Sequence, residues 1–424
     1  MPSHNPVGNS ILLGKQRPLS ESRVMKSINR DVRIFSPLTH RVTNFVTNHI
    51  HILLSRKVFH YLLVTLNGSI RIKQGCIMTS MMRNVLLHIM CFVFCFNANA
   101  TGEALNKAND EALLAGQIFT QLPKTLTLKG NALPFENYGA WLAHAQSNNQ
   151  NVAYVDRWQK AVNPKKFNAL IKTTSAQWIE YESDGLKISG VMVSPKHVGG
   201  KKLPVIIFNR GGNHKHNVTR IAVVERLMPL AEQGYIVLAS NYRGAKFSQG
   251  KDEFGGADVN DVLRLIEIAK QLPNADPNKI ALYGVSRGGM MTWQALRKNT
   301  SDITSAVIVA GPSDLHTTVE RRPDMRALLN ELVPNMEQNQ TKALDERSAV
   351  KWINELNPNV PILLVHGSAD VRVDISHSLK AAQQLKDNNH SHKLVVYDNG
   401  DHSLTFYRDE VEREINKWLA VHFQ

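Results

Sequence analysis

Residues 279–297 read KIALYGVSRGGMMTWQALR. A short apolar run, Lys279–Tyr283, leads straight into G-V-S-R-G, and Met290–Arg297 follows with helical spacing. A serine held on a sharp strand-to-helix turn needs small neighbours, because the turn is strained and the flanking backbones pack closely. Gly284, Gly288 and Gly289 supply that room. The placement exposes the Ser286 hydroxyl above a sheet edge, at a helix N-terminus where negative charge is favoured.

The sequence around this turn has one rhythm. Near-continuous apolar runs recur at Trp178–Glu182, Leu186–Val193, Val205–Phe208, Tyr235–Ser240, Ala306–Ala310, Ile362–Val365 and Lys393–Tyr397. Such runs are expected of strands covered on both faces. The first two form a pair joined across Ser183-Asp184-Gly185. Between the later strands, Val259, Val262, Leu263 and Ile266 repeat at helical spacing, as do Ile375, Leu379 and Ala382, while Val411, Ile415, Trp418 and Leu419 mark a closing helix. Strand–helix alternation predicts an α/β fold with a mostly parallel central sheet and helices on both faces. Polar, helical sequence at 315–355 reads as an insertion over the strand ends. Residues 101–175 read mainly as helix and loop, with Ala112–Leu122 and Val152–Val162 the better helices.

Two further motifs follow strands of their own. His366-Gly367-Ser368-Ala369-Asp370 follows Ile362–Val365, and Asn399-Gly400-Asp401-His402 follows Lys393–Tyr397. An acid in a loop at a strand's C-terminal end can reach the crevice there. The order Ser, Asp, His is that of the α/β-hydrolases. Ser286 is a poor nucleophile until His402 removes its proton, and Asp370 would fix the imidazole tautomer and stabilise the imidazolium. Backbone N–H groups would hold the oxyanion: that of Arg287, and one from Arg210 or Gly211 in the loop after Val205–Phe208.

Taken together, GVSRGGM, LLVHGSADVRV and GDHSL resemble the catalytic domain of the prolyl oligopeptidase family of serine peptidases. PVIIFNRGG at 204–212 resembles the segment supplying part of that family's oxyanion hole, and FGGADVNDV at 254–262 the helix before the nucleophile strand. The resemblance spans roughly 177–424, so residues 176–424 are expected to form an α/β-hydrolase domain with the triad Ser286, Asp370 and His402. Three departures stand out. The family's larger peptidases carry a β-propeller ahead of the hydrolase, for which residues 101–175 are too few. Many members place a tyrosine hydroxyl in the oxyanion hole, where this chain has Arg210. The paired glutamates that hold a free substrate amine in the dipeptidyl branch cannot be placed in this sequence. The resemblance therefore implies a serine-type peptidase cleaving short peptides through an acyl-enzyme, with a carboxylesterase or deacetylase on the same triad as the alternative.

Charge and cysteine place the rest. Of the formal +14, residues 1–100 carry a net +10, with 12 Lys and Arg against Glu21 and Asp31. A nucleic-acid protein should carry its excess on the folded domain, so no nucleic-acid partner is expected. At 78–100 the chain reads MTSMMRNVLLHIMCFVFCFNANA: Arg83, a 12-residue run Val85–Phe96 apolar but for His88, and Ala98-Asn99-Ala100. This is the plan of a secretory signal peptide, too short for an ordinary membrane span of roughly 20 residues. Residues 1–77 read as an upstream extension outside the mature protein. Cys76, Cys91 and Cys95 all precede the cleavage point, so an exported, periplasmic or secreted protein beginning at Thr101 would hold no cysteine and no stable span.

The remaining polar residues have plainer expectations. Arg287 and Arg210 suit either a substrate carboxylate or, more simply, an ion pair with a nearby acid. His214-Lys215-His216 lacks a third ligand and reads as a solvated loop, and the chemistry needs no metal or other cofactor. Arg372 faces substrate or solvent. Asp258 and Asp261 are structural, and Glu320, Arg321, Arg322 and Arg326 are a solvated face.

Overall fold

Strand formation follows the apolar runs closely. The computed structural model describes residues 64–66, 69–71, 119, 121–147, 152–298 and 301–424. The chain falls into two units, Met1–Phe92 and Val93–Gln424. Within the first, Val64–Leu66 pairs antiparallel with Ser69–Arg71. The rest of the 1–77 extension and the segment 78–100, expected to be a signal peptide, lie outside the described residues, as do 101–118.

The second unit holds nine described strands: β1 Leu126–Asn131, β2 Thr174–Ser183, β3 Leu186–Pro195, β4 Leu203–Asn209, β5 Ile236–Ser240, β6 Ala275–Val285, β7 Ser305–Val309, β8 Ile362–Gly367 and β9 His392–Tyr397. Their order across the sheet is β9-β8-β7-β6-β4-β5-β3-β2-β1. From β5 to β9 all neighbours run parallel, whereas β1, β2, β3 and β5 pair antiparallel in turn. The eight strands expected from sequence are all present. The ninth, β1, lies in the segment read as helix and loop, where its six residues alternate buried and exposed only at first. That segment does supply helices α1 Tyr138–Ser147, α2 Val152–Ala161 and α3 Pro164–Thr173. Pro164 opens α3, with the Asn163 side chain capping the Lys165 and Lys166 N–H groups. Of the helix expected at Ala112–Leu122, residues 112–118 and 120 lie outside the described residues, and Phe119, Gln121 and Leu122 are irregular.

Alternate side chains of the central strands enter two cores. Val205, Ile207, Leu282 and Leu364 pack on one face with helices α5 Val259–Gln271 and α6 Arg287–Lys298. Ile206, Phe208, Tyr283 and Val365 pack on the other with α4, a helical run at 220–232, and α11 Arg408–His422. Covering both faces is why these strands read as continuous apolar runs. In α10, Ser376–Asp387, the buried stripe is Ala381, Ala382 and Leu385, and Leu379 is 48% exposed. The expected stripe through Leu379 is thus rotated, because small and polar residues, His377 and Ser378, also face inward. The insertion folds as α7 Leu315–Arg321, α8 Pro323–Leu332 and α9 Gln340–Glu346, anchored through Leu315, Val319 and Leu329. Among the described residues, no helix is long and apolar enough to cross a membrane.

Candidate active site

Ser286 lies between β6 and α6 with φ of 57°, a left-handed conformation uncommon for a residue with a side chain. Its N–H donates to Val309 O at 2.9 Å, and its carbonyl accepts the Gly289 N–H at 2.7 Å. A side chain at 288 would put Cβ 1.8 Å from Asn209 O, so only glycine lets α6 start against the end of β4. The motif's glycine thus buys the turn its close approach.

The two later loops converge on this serine. His402 Nε2 stands 3.0 Å from Ser286 Oγ, and His402 Nδ1 stands 2.7 Å from Asp370 Oδ2. Asp370 is a well-held acid: Oδ1 accepts the N–H groups of Arg372 and Val373 at 2.8 and 3.0 Å. Burial alone would raise its pKa. Hydrogen bonds from His366 and His402, the Val373 N–H and the nearby His402 charge outweigh this and hold the carboxyl far below its ordinary range. His366 was quoted in the acid motif, but its part in holding the acid was not foreseen. Fully buried, it sets Nε2 3.3 Å from Asp370 Oδ2 and 2.8 Å from Val373 O, with Nδ1 2.7 Å from Ser378 Oγ.

The loop expected to hold the oxyanion meets the serine at Gly211. A Cβ there would sit 3.1 Å from Ser286 Cβ and 3.6 Å from Oγ, so a larger residue would crowd the nucleophile. No hydrogen bond to a described residue occupies the Gly211 N–H. The Arg210 carbonyl points elsewhere, accepting the Tyr242 hydroxyl at 3.2 Å.

Both arginines turn inward, Arg287 into the ion pair expected of it and Arg210 into neither of its two expected roles. The Arg287 guanidinium is bidentate to Asp252 at 2.7 and 2.6 Å, reaches Asp258 at 2.6 Å, and donates to Gly212 O at 3.1 Å. Burial disfavours its charge, but Asp258 and Asp252 more than compensate and raise its pKa. Arg210 takes no acid; its guanidinium donates to the carbonyls of Gly211 at 3.0 Å, Asn213 at 3.2 Å and Asn241. Burial and the Arg287 charge push it down to about 10, so it stays a cation at neutral pH. Neither side chain is placed for a substrate carboxylate. Asp258 and Asp261 are fully buried and structural, the latter pairing with Arg243 at 2.7 Å.

Around the mouth, His216 lies on an exposed loop with Nδ1 3.0 Å from Asn213 Oδ1, its pKa lowered by partial burial and by Arg210 and Arg372. Val371, next to the acid, is 90% exposed. The insertion is more than a solvated face. Arg321 pairs with Asp374, and Arg322 donates to Arg372 O at 3.0 Å, tying α7 to the acid loop. Among the described residues, no group of three or more His, Cys, Asp or Glu is placed to hold a metal.

A doubly covered, mostly parallel sheet with a serine on a strained turn after its central strand defines an α/β-hydrolase. Residues 222–424 match the model of the prolyl oligopeptidase family. The likeness to this family lies in that region, and the protein is a serine hydrolase. The chain is 26% identical over 259 residues to YtmA, an uncharacterised peptidase of Bacillus subtilis, covering 61% of this chain and 98% of that protein. It is 25% identical to the acylamino-acid-releasing enzyme of Rattus norvegicus and 27% to a probable dipeptidyl-aminopeptidase B of Metarhizium robertsii, over 56% and 57% of this chain. It spans only 34% and 27% of those two longer proteins. Among solved structures, the acylaminoacyl peptidase of Pyrococcus horikoshii superposes with a TM-score of 0.53 at 22% identity, over 61% of this chain and 44% of that one, a likeness of fold.

Proposed function

We propose that the protein is an exported serine peptidase that cleaves short peptides through an acyl-enzyme. Ser286 Oγ attacks the scissile carbonyl carbon while His402 Nε2 takes its proton. The C–N bond then breaks as His402 returns that proton to the leaving amine. Water, deprotonated by the same imidazole, attacks the ester and releases Ser286. Asp370 holds the ring and stabilises its charged form. The N–H groups of Arg287 and Gly211 receive the developing oxyanion. The observation that carries this reading is the unbroken Ser286–His402–Asp370 chain, at 3.0 and 2.7 Å, on a strained turn. Peptides are favoured because the relatives are named as a peptidase, a probable dipeptidyl-aminopeptidase and an acylamino-acid-releasing enzyme. Export rests on the Arg83, Val85–Phe96, Ala98–Ala100 pattern; N-terminal sequencing of exported protein should begin at Thr101, and residues preceding Met78 there would overturn it.

One observation favours an esterase instead. Where the family commonly offers a tyrosine hydroxyl to the oxyanion, Arg210 sends its donors to backbone carbonyls. Loss of an oxyanion donor costs about 3–4 kcal/mol where measured, and amides suffer most because their leaving group needs a proton as well. Matched ester and anilide substrates with one acyl group decide the matter. Anilide cleavage, abolished in Ser286→Ala, is expected; strong ester turnover with no amide cleavage across varied peptides would replace the peptidase with the esterase.

A further inference from the structure

We infer that Tyr242 is a positioning residue for the oxyanion hole, its hydroxyl aiming the Gly211 N–H through the peptide bond that joins Arg210 to Gly211. This rests on the proposed assignment of Gly211 as an oxyanion donor. The Tyr242 hydroxyl donates to Arg210 O at 3.2 Å. That carbonyl and the Gly211 N–H are two ends of one peptide unit. The unit is planar and trans, so a hydrogen bond fixing the oxygen also fixes the direction of the N–H. The same bond polarises the unit and strengthens its N–H as a donor. At its other end the unit abuts the serine, since a Cβ on Gly211 would stand 3.1 Å from Ser286 Cβ.

The surroundings hold the phenol where this requires. Tyr242 is fully buried with φ of 63°, a left-handed backbone that a bulky residue adopts only when its neighbours enforce it. Its N–H donates to Ser240 Oγ at 2.8 Å, and that hydroxyl is itself bonded to Tyr181 at 2.6 Å. The ring packs against two guanidinium groups, Arg210 at 4.7 Å and Arg287 at 5.4 Å from its centroid. Those cations also bind the carbonyls of Gly211, Gly212 and Asn213, so ring and loop share one frame. Burial keeps the phenol neutral and therefore a donor throughout the working pH range. An unsatisfied hydroxyl would explain one hydrogen bond to any carbonyl. It does not explain a strained backbone that delivers the bond to a peptide abutting the nucleophile.

The test is Tyr242→Phe, which keeps the ring and removes the donor, with rates expressed per site titrated by a fluorophosphonate so that misfolded enzyme is not counted. kcat on a peptide anilide should fall on the order of 10-fold with KM little changed, less than the ~10²–10³ of losing a direct donor. Affinity for a peptidyl boronic acid, which mimics the tetrahedral adduct, should fall by the same factor. A variant with unchanged kcat and boronate affinity per titrated site, whatever its melting temperature, overturns the inference and makes the hydroxyl merely structural. If wild-type protein neither turns over substrate nor is labelled at Ser286, the hydrolase reading fails and takes this inference with it.

Discussion

The two halves of the site are held by different physics. On the nucleophile side, Ser286, Gly211 and Gly212 rest on a buried frame of Arg287, Asp252, Asp258 and Arg210, every charged member of which is less than 10% exposed. On the proton-transfer side, His402 rides a loop whose next turn carries Phe406 at 88% exposure, and the acid loop carries Val371 at 90%. The oxyanion donors must already point at a charge that exists only in the transition state, so reorganisation there is costly. The imidazole must only keep two hydrogen bonds while a proton crosses, and a single well-held carboxylate secures that. Rigidity is concentrated where charge develops.

The largest expected effect tests whether the halves act as one unit. Ser286→Ala and His402→Ala should each reduce kcat by at least about 10⁴-fold, leaving the residual rate supplied by binding and the oxyanion hole. Asp370→Asn should also be severe, through the wrong imidazole tautomer. The double variant Ser286→Ala/His402→Ala should be no worse than either alone, because the groups act together. Additive losses in steady-state kinetics would separate the halves.

Next in size is the buried frame. Arg287→Met leaves Asp252 and Asp258 buried without their cation, and breaking such a pair costs about 3–5 kcal/mol. Denaturant unfolding should register this loss of stability. The substitution also removes the closer of two donors to the Gly212 carbonyl, leaving Arg210 Nη1 at 3.4 Å, so residual activity per folded molecule should drop as well. A variant as stable as the wild type would show that the frame does not hold the loop.

The proton-transfer side carries a pH-sensitive element under α7. His377 Nδ1 accepts the N–H groups of Ser313 and Asp314, each at 3.2 Å. Burial, against the opposing pull of Asp314, lowers its pKa from 6.5 to about 4. As pH falls, the unfolded chain binds this proton first, so stability is full above 6.5 and is lost between 6.5 and 4. The whole shift corresponds to about 3 kcal/mol. Thermal melts of wild type and His377→Asn should converge as pH falls through this window. Parallel pH profiles would remove His377 from the account.

Much of this was legible in the sequence, and what was not has a common cause. The three motif residues could be read because each sits just past an apolar run, and local pattern reports strand ends. Strand β1 escaped because its pattern, buried, exposed, buried, exposed, then irregular, is too short to stand out among helical neighbours. The Arg287–Asp252 pair joins residues 35 apart, and the Tyr242–Arg210 bond residues 32 apart. No periodicity encodes such pairings. For Arg287 the sequence led only to an ion pair with some nearby acid, not to which acid.

The smallest expected effect concerns Asp374, four residues beyond Asp370, and it discriminates the acid most sharply. Both carboxylates lie in one loop and both have lowered pKa values, so proximity alone does not separate them. Their partners do. Asp370 is buried and bonds His402, whereas Asp374 accepts the Ser376 N–H at 2.9 Å and pairs with Arg321, half exposed on α7. Asparagine at 374 keeps the oxygen that accepts the Ser376 N–H and loses only the exposed ion pair, worth about 0–1 kcal/mol. Asp374→Asn should therefore melt within a few degrees of wild type. It should also retain kcat/KM within about threefold, since an exposed pair of this worth can shift the acid loop only slightly. Should Asp374→Asn instead cripple turnover while Asp370→Asn is silent, the acid belongs to Asp374, and the proton-transfer side would depend on an exposed pair rather than on a buried carboxylate.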